Sequence, residues 1–348
     1  MSDTATGDGG RGVDAVGRID IHAHFYPLIS RQDASILGLG SETPWLRDDG
    51  DGTGQMMAGD REYRPVKAPL WDASARLKQM DTYGVDIQVM SATPMLFAYG
   101  SDPARALRWS ALMNDRAAEM AAVDPTRLRT LCQVPLQDVD AACSEIGRAK
   151  ENGHVGVHIG NHVCGRNLDD PELVRFLHFC ADEDMAVLVH PWDMMAGERM
   201  VKYMLKWLVG IPAETHLAIL SLILSGAFER LPSHLRVCFT HGGGNFAGQL
   251  GRVDNAWHRR DIVRADCPNP PSSYVDRFSV DSAVFDDAAL ALLVSVMGED
   301  RVMLGSDYPF PLGEEEPGRL VASSQHLSDQ AKAKIAAGNA VRFFGLID

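Results

Sequence analysis

A chain of 348 residues with 45% apolar content holds material for one large core, and it is long for a single domain unless that domain is a barrel of strands and helices. The formal net charge of −14 and isoelectric point near 5.3 exclude a general nucleic-acid or anionic-membrane partner, because the summed field repels both. Six cysteines without a Cys-x-x-Cys pair exclude a dense disulfide framework and predict reduced thiols in a cytoplasmic protein.

The first residues are small, polar and Gly-rich, with neither the basic start nor the apolar run of a secretion signal, so a disordered tail is expected over 1–17. A single barrel domain is expected over 18–348. Its first strand reads IDIHAHF from Ile19. A turn-rich insertion follows over 28–70, in which DDGDGTGQMMAGDREYRPV predicts a short hairpin over the barrel mouth. Seven further apolar runs come in order: DIQVMSATP from Asp86, RTLCQVPL from Arg129, HVGVHIGNH from His154, MAVLVHPWD from Met185, RVCFTHGGG from Arg236, FSVDSAV from Phe278 and RVMLGSDYP from Arg301. Between them lie segments of helical period, among them WDASARLKQMDTYG and PELVRFLHFCADED. Residues 194–234 carry extra helical sequence, and its apolar stretch Leu217 to Phe228 falls short of the roughly 18 to 20 residues that span a bilayer. Eight strands alternating with helices predict an α/β fold, the (β/α)8 TIM barrel, with a doubly wound sheet as its competitor.

In such a barrel the active site lies at the C-terminal ends of the strands. His22 and His24 end the first run, His190 the fifth, His241 the sixth and Asp307 the eighth, and a Pro or Gly turn stands close behind each position. Residues i and i+2 on a strand share a side, so His22 and His24 leave it together. Three imidazoles and a carboxylate suit zinc or a similar divalent ion, which assigns His22, His24, His190 and Asp307 as ligands. His241 is then left as an acid or base beside a bound water. The fourth run has neither Lys nor acid to bridge two metals, so one ion per chain is expected. His158 and His162 in that run are read as structural.

HAHFYP, HPWDMM, HGGG, GRVDNAW and LGSDYPFPLGE, with YRPV, PAET and ILSLILSGAFE, together resemble the amidohydrolase superfamily. Within it, the α-amino-β-carboxymuconate-ε-semialdehyde decarboxylase family is the most similar, from Ile19 to about Phe344. The resemblance implies zinc-dependent, oxygen-independent decarboxylation of 2-amino-3-carboxymuconate 6-semialdehyde, by a zinc-activated water with His241 as base. It implies that Arg64 and Arg252 grip substrate carboxylates, with Arg252 supplied to the neighbouring subunit's site, hence a homodimer or higher oligomer. Trp192 and Phe310 are expected to wall the pocket. The resemblance also suggests supply from tryptophan breakdown through kynurenine or from nitrobenzoate degradation. Tyr203-Met204 departs from relatives that carry Trp there. Alternative readings are a metal-dependent lactone or amide hydrolase, a decarboxylase of a related carboxylated aromatic, and a non-catalytic metal-stabilised binding protein.

Overall fold

The computed structural model describes residues 17–346 apart from 38, 41 and 196, so the tail expected over 1–17 lies outside the described residues except for Gly17. All eight apolar runs form strands: β1 (Ile19–Phe25), β2 (Ile87–Ala92), β3 (Leu128–Cys132), β4 (Gly156–Gly160), β5 (Ala186–His190), β6 (Val237–Phe239), β7 (Ser279–Asp281) and β8 (Val302–Met303). Neighbours in sequence pair in space, and every pair is parallel. The ring closes through Ile21 N donating to Leu304 O (2.9 Å), Asp307 N to His22 O (2.8 Å) and His24 N to Tyr308 O (2.7 Å). Closure removes the free edges of the sheet. The same three bonds hold Asp307 in the frame of His22 and His24.

Parallel strands covered on both faces carry nearly continuous apolar sequence, and all seven residues of β1 are buried. The intervening helices start on caps written into the sequence. Asp102 before Pro103 accepts from Arg105 N, and Asp170 before Pro171 accepts from Glu172 N. Asp72, Asp138 and Asp286 cap three others in the same way. Each such cap contributes about 1 kcal/mol, and Pro at the first helical position gives up an N–H that has no helical partner anyway.

The insertion after β1 is a three-stranded antiparallel sheet, Pro44–Asp48, Thr53–Ala58 and Arg61–Lys67, rather than the expected hairpin. The glycines of DDGDG adopt left-handed backbone (Gly50 φ 83°, Gly52 φ 85°), so that run is itself a turn and recruits the segment before it as a third strand. After β5, a π-helical turn Lys206–Gly210 leads into the helix Ile211–Leu224. Together they span 19 residues, longer than the apolar stretch Leu217–Phe228 and long and apolar enough to cross a membrane by length and composition alone. Gly226, at φ 67°, ends that helix within the stretch. Ala218, Ile219, Leu222 and Ile223 of this helix are buried in the core of the barrel domain.

Candidate metal centre and substrate pocket

His22 and His24 leave β1 with ring centroids 5.1 Å apart, and the His190 ring lies 5.1 Å from the first and 5.0 Å from the second. One donor atom from each of His22, His24, His190 and Asp307 lies within 4.8 Å of all the others. Asp307 Oδ1 stands 3.1 Å from His24 Nε2 and 3.5 Å from His22 Nε2. All three Nε2 atoms are buried and have no hydrogen-bond partner. Their other ring nitrogens are engaged: His22 Nδ1 with Asp281 Oδ2 (2.6 Å), His190 Nδ1 with the Pro191 carbonyl (2.6 Å) and His24 Nδ1 with Ser91 Oγ (3.3 Å). A carbonyl can only accept, so His190 carries its proton on Nδ1 and presents a lone pair at Nε2. Buried, partnerless nitrogens are costly unless something binds them, and three imidazoles with one carboxylate are a donor set that fits a divalent ion.

The surroundings tune these groups. Burial alone would raise the Asp307 carboxyl, but His24, His22 and His241 outweigh it and hold it well below the usual carboxylate range. Burial lowers His22, yet the bonded Asp281 carboxylate outweighs that and raises it, making the ring a stronger donor. Burial holds His190 well below its ordinary value.

His241 follows β6 in the left-handed region (φ 55°), with its ring 4.9 Å from that of His22 and 5.0 Å from that of His190. Its Nε2 is buried without a partner. Burial and the neighbouring imidazoles push it down to about 4, so the ring is neutral at pH 7. Asp281 also fixes the loop behind it: Oδ1 accepts from Gly242 N at 2.8 Å. Gly242 is obligatory, since a Cβ there would lie 2.4 Å from Val284 Cγ1 and its φ is 61°.

Above these residues opens a cavity of about 460 Å³. His24, His190 and Asp307 form part of its lining; the insertion sheet contributes Met56, Tyr63, Arg64 and Pro65, and the segment after β5 contributes Trp192, Met194, Met204, Lys206 and Trp207. Phe310 lines it too, and the Arg64 guanidinium sits 5.1 Å from the Phe310 ring and 5.8 Å from those of Tyr63 and Trp207. Trp192 is pinned by Nε1 donating to His162 O at 2.9 Å, against a Gly160 whose Cβ would fall 2.5 Å from the indole.

Among the residues expected at the site, His22, His24, His190, Asp307 and His241 converge, and Arg64, Trp192 and Phe310 line the cavity. Arg252 does not reach it: it is exposed on the helix Phe246–Arg259. His158, read as structural, lies outside the four donors, but its ring is 5.6 Å from that of His190 and both its nitrogens are partnerless. Asp281 and Trp207 were not legible as site residues. An acid ending the buried strand FSVD is a partial signal for Asp281, weaker than that of Asp307 because no Pro or Gly turn follows it; nothing in the sequence singles out Trp207.

Residues 19–346 match the amidohydrolase family over nearly the whole chain. The chain belongs to the amidohydrolase family. This amidohydrolase is 39% identical to the 2-amino-3-carboxymuconate-6-semialdehyde decarboxylase of Dictyostelium discoideum over 94% of its own length and 92% of the relative's. The solved 5-carboxyvanillate decarboxylase of Sphingomonas paucimobilis superposes with a TM-score of 0.78 at 26% identity, covering 94% of this chain and 99% of that one. A 5-carboxyvanillate decarboxylase of Novosphingobium aromaticivorans, solved with manganese, gives 0.76 at 23%, covering 97% and 98%. With the metal-ligand geometry above, these relatives make this amidohydrolase a metal-dependent decarboxylase.

Proposed function

We propose that this enzyme converts 2-amino-3-carboxymuconate 6-semialdehyde to 2-aminomuconate 6-semialdehyde and carbon dioxide, with one zinc ion per chain. The observation that carries the reading is the set of three buried, partnerless Nε2 atoms and one carboxylate beside a pocket whose Arg64 makes no ion pair among the described residues. The 39% identical relative supports the choice of substrate. His22, His24, His190 and Asp307 are the residues that would hold the ion, which when bound supplies a Lewis acid and lowers the pKa of water to about 7. The donor set also accepts manganese. His241, neutral at pH 7, takes a proton at Nε2 and returns it to the carbon beside the departing carboxyl group. Arg64 binds a substrate carboxylate through its planar fork, while Trp192 and Phe310 flank the conjugated chain and exclude water. Arg252 reaches the site of a second copy, which makes the active form a homodimer or higher oligomer. All six cysteines are free and four are buried, which supports a reducing, cytoplasmic setting.

The test is an ultraviolet assay of freshly generated substrate, with carbon dioxide and metal measured on the same sample. Substrate loss should track about one zinc per chain, and His241→Asn should lower turnover by about 10²- to 10⁴-fold while retaining the metal. Metal-replete protein that leaves the substrate untouched overturns the assignment. The 26% identical relative makes a carboxylated phenol the next substrate to try.

A further inference from the structure

The segment that enters the pocket after β5 is unusual in backbone. Tyr203 and Met204 both sit in the left-handed region (φ 58° and 55°), one after the other, and neither is a glycine. The next residues, Lys206–Gly210, form a π-helical turn in which Ile211 N donates to Lys206 O. Non-glycine residues at positive φ cost on the order of 1–3 kcal/mol each, and π turns recur at functional sites. Gly210 makes room for the corner, since a Cβ there would lie 2.8 Å from Met194; Gly197 lies beside the Lys206 side chain, its virtual Cβ at ordinary contact distance, 3.5 Å, from both Cε and Nζ. The result is that Met204, Lys206 and Trp207 all line the cavity.

Lys206 is the residue this corner leaves unexplained. Met204 and Trp207 add apolar wall, but an ammonium group on that wall has no carboxylate within ion-pair distance among the described residues. The other cation of the cavity, Arg64, comes from the insertion sheet and is likewise without an ion pair. The acids of the lining are Asp307, committed to the metal cluster, and Asp193, whose carboxylate makes no ion pair with Lys206. In a chain of net charge −14, two uncompensated cations on different segments of one largely apolar cavity match a ligand that carries two separated anionic groups.

We infer that Lys206 is a specificity-determining residue that binds a second carboxylate of a planar dicarboxylate substrate at the pocket mouth, Arg64 and the metal end taking the first. This rests on the proposed substrate having two carboxylates, and it adds a cation supplied by the chain's own pocket wall to the one expected from a second copy. Exposed at the mouth, Lys206 acts on capture and orientation and leaves the reacting atoms to the residues below. Its loss therefore raises KM and spares kcat.

The experiment compares two planar probes of equal length on the zinc-loaded full-length enzyme by calorimetry: trans-but-2-enedioate, whose two carboxylates sit on adjacent carbons as in the proposed substrate, and trans-but-2-enoate, with one. Lys206→Gln should weaken the dicarboxylate about tenfold and leave the monocarboxylate unchanged, and Lys206→Arg should restore the difference. The wild-type preference should shrink between about 50 mM and about 500 mM salt, and the smaller preference that Lys206→Gln retains should shrink by less. With the natural substrate, Lys206→Gln should raise KM by about the same tenfold at constant kcat. Equal weakening of both probes, or of neither, overturns the role of Lys206 while leaving the decarboxylase reading intact. A wild-type enzyme that does not prefer the dicarboxylate overturns the two-carboxylate pocket itself.

Discussion

Asp281 shows how much of this centre depends on a residue that touches neither metal nor substrate. One of its oxygens meets His22 Nδ1 at 2.6 Å and the other accepts from Gly242 N at 2.8 Å, so a single buried carboxylate sets both a ligand ring and the loop that carries His241. Burial would raise it, but the His22 contact outweighs burial and keeps it ionised. Gly305 permits the contact, since a Cβ there would fall 2.7 Å from Asp281 Cβ and 2.8 Å from His22 Cβ. Replacing Asp281 with Asn keeps the shape and removes the charge. Zinc affinity, measured by competition with a chelating dye, should fall about 10- to 100-fold in Asp281→Asn. Wild-type affinity in that variant would show that His22 needs no charged partner. The ligands themselves were legible because each is a polar residue that ends an apolar run before a Pro or Gly. Asp281 ends such a run too, but the residues behind it, Ser-Ala-Val, form no turn signal, and its role appears only once His22 is placed opposite it.

At the scale of elements, the barrel was legible because parallel strands buried on both faces announce themselves as unbroken apolar runs. The insertion was not, since DDGDG reads equally well as the middle of a hairpin or as the turn before one. Nor could the sequence give the polar joint between the helix Pro103–Ala121 and its neighbours. There Asn114 donates to Gln133 O and Glu145 Oε1, and Asn114 O meets His154 Nε2 at 3.2 Å. His154 precedes β4 and is 4% exposed, and burial lowers it to about 4 from its ordinary 6.5. Between those two values the unfolded chain binds a proton that the folded chain refuses, so stability falls as the pH drops from 6.5 towards 4 and no further below. The total for this one group is about 3 kcal/mol. In His154→Gln, which can still donate to Asn114 O, the loss of stability between pH 7 and pH 4.5 should be about 2 kcal/mol smaller, read from urea midpoints. An unchanged acid limb would assign the acid sensitivity to other groups.

At the scale of the molecule, the chain builds every part of the proposed site except one. Arg252 lies exposed on the helix Phe246–Arg259, while the cavity is lined by residues of β1, the insertion, β5 and the loops after β2, β5 and β8. That helix begins against the start of Ile211–Leu224, where a Cβ on Gly244 would lie 2.3 Å from Pro212 O. The segment leading into the latter exposes Val201, Leu208 and Val209, apolar surface that a second copy would cover. No reading of one sequence can tell a cation that serves its own pocket from one that serves a neighbour's, because spacing along the chain is the same in both cases. Mixing two inactive variants separates them. If Arg252 acts across the interface, exchanging subunits of Arg252→Ala with those of His241→Asn yields hybrid dimers in which one site keeps His241 and receives Arg252 from the other chain. Half the dimers are then hybrids with one complete site of two, so activity should return to about a quarter of the wild-type value. If Arg252 serves its own chain, every site in the mixture lacks one residue or the other and activity stays at the level of the parents. A fully active Arg252→Ala enzyme would remove the residue from the site altogether.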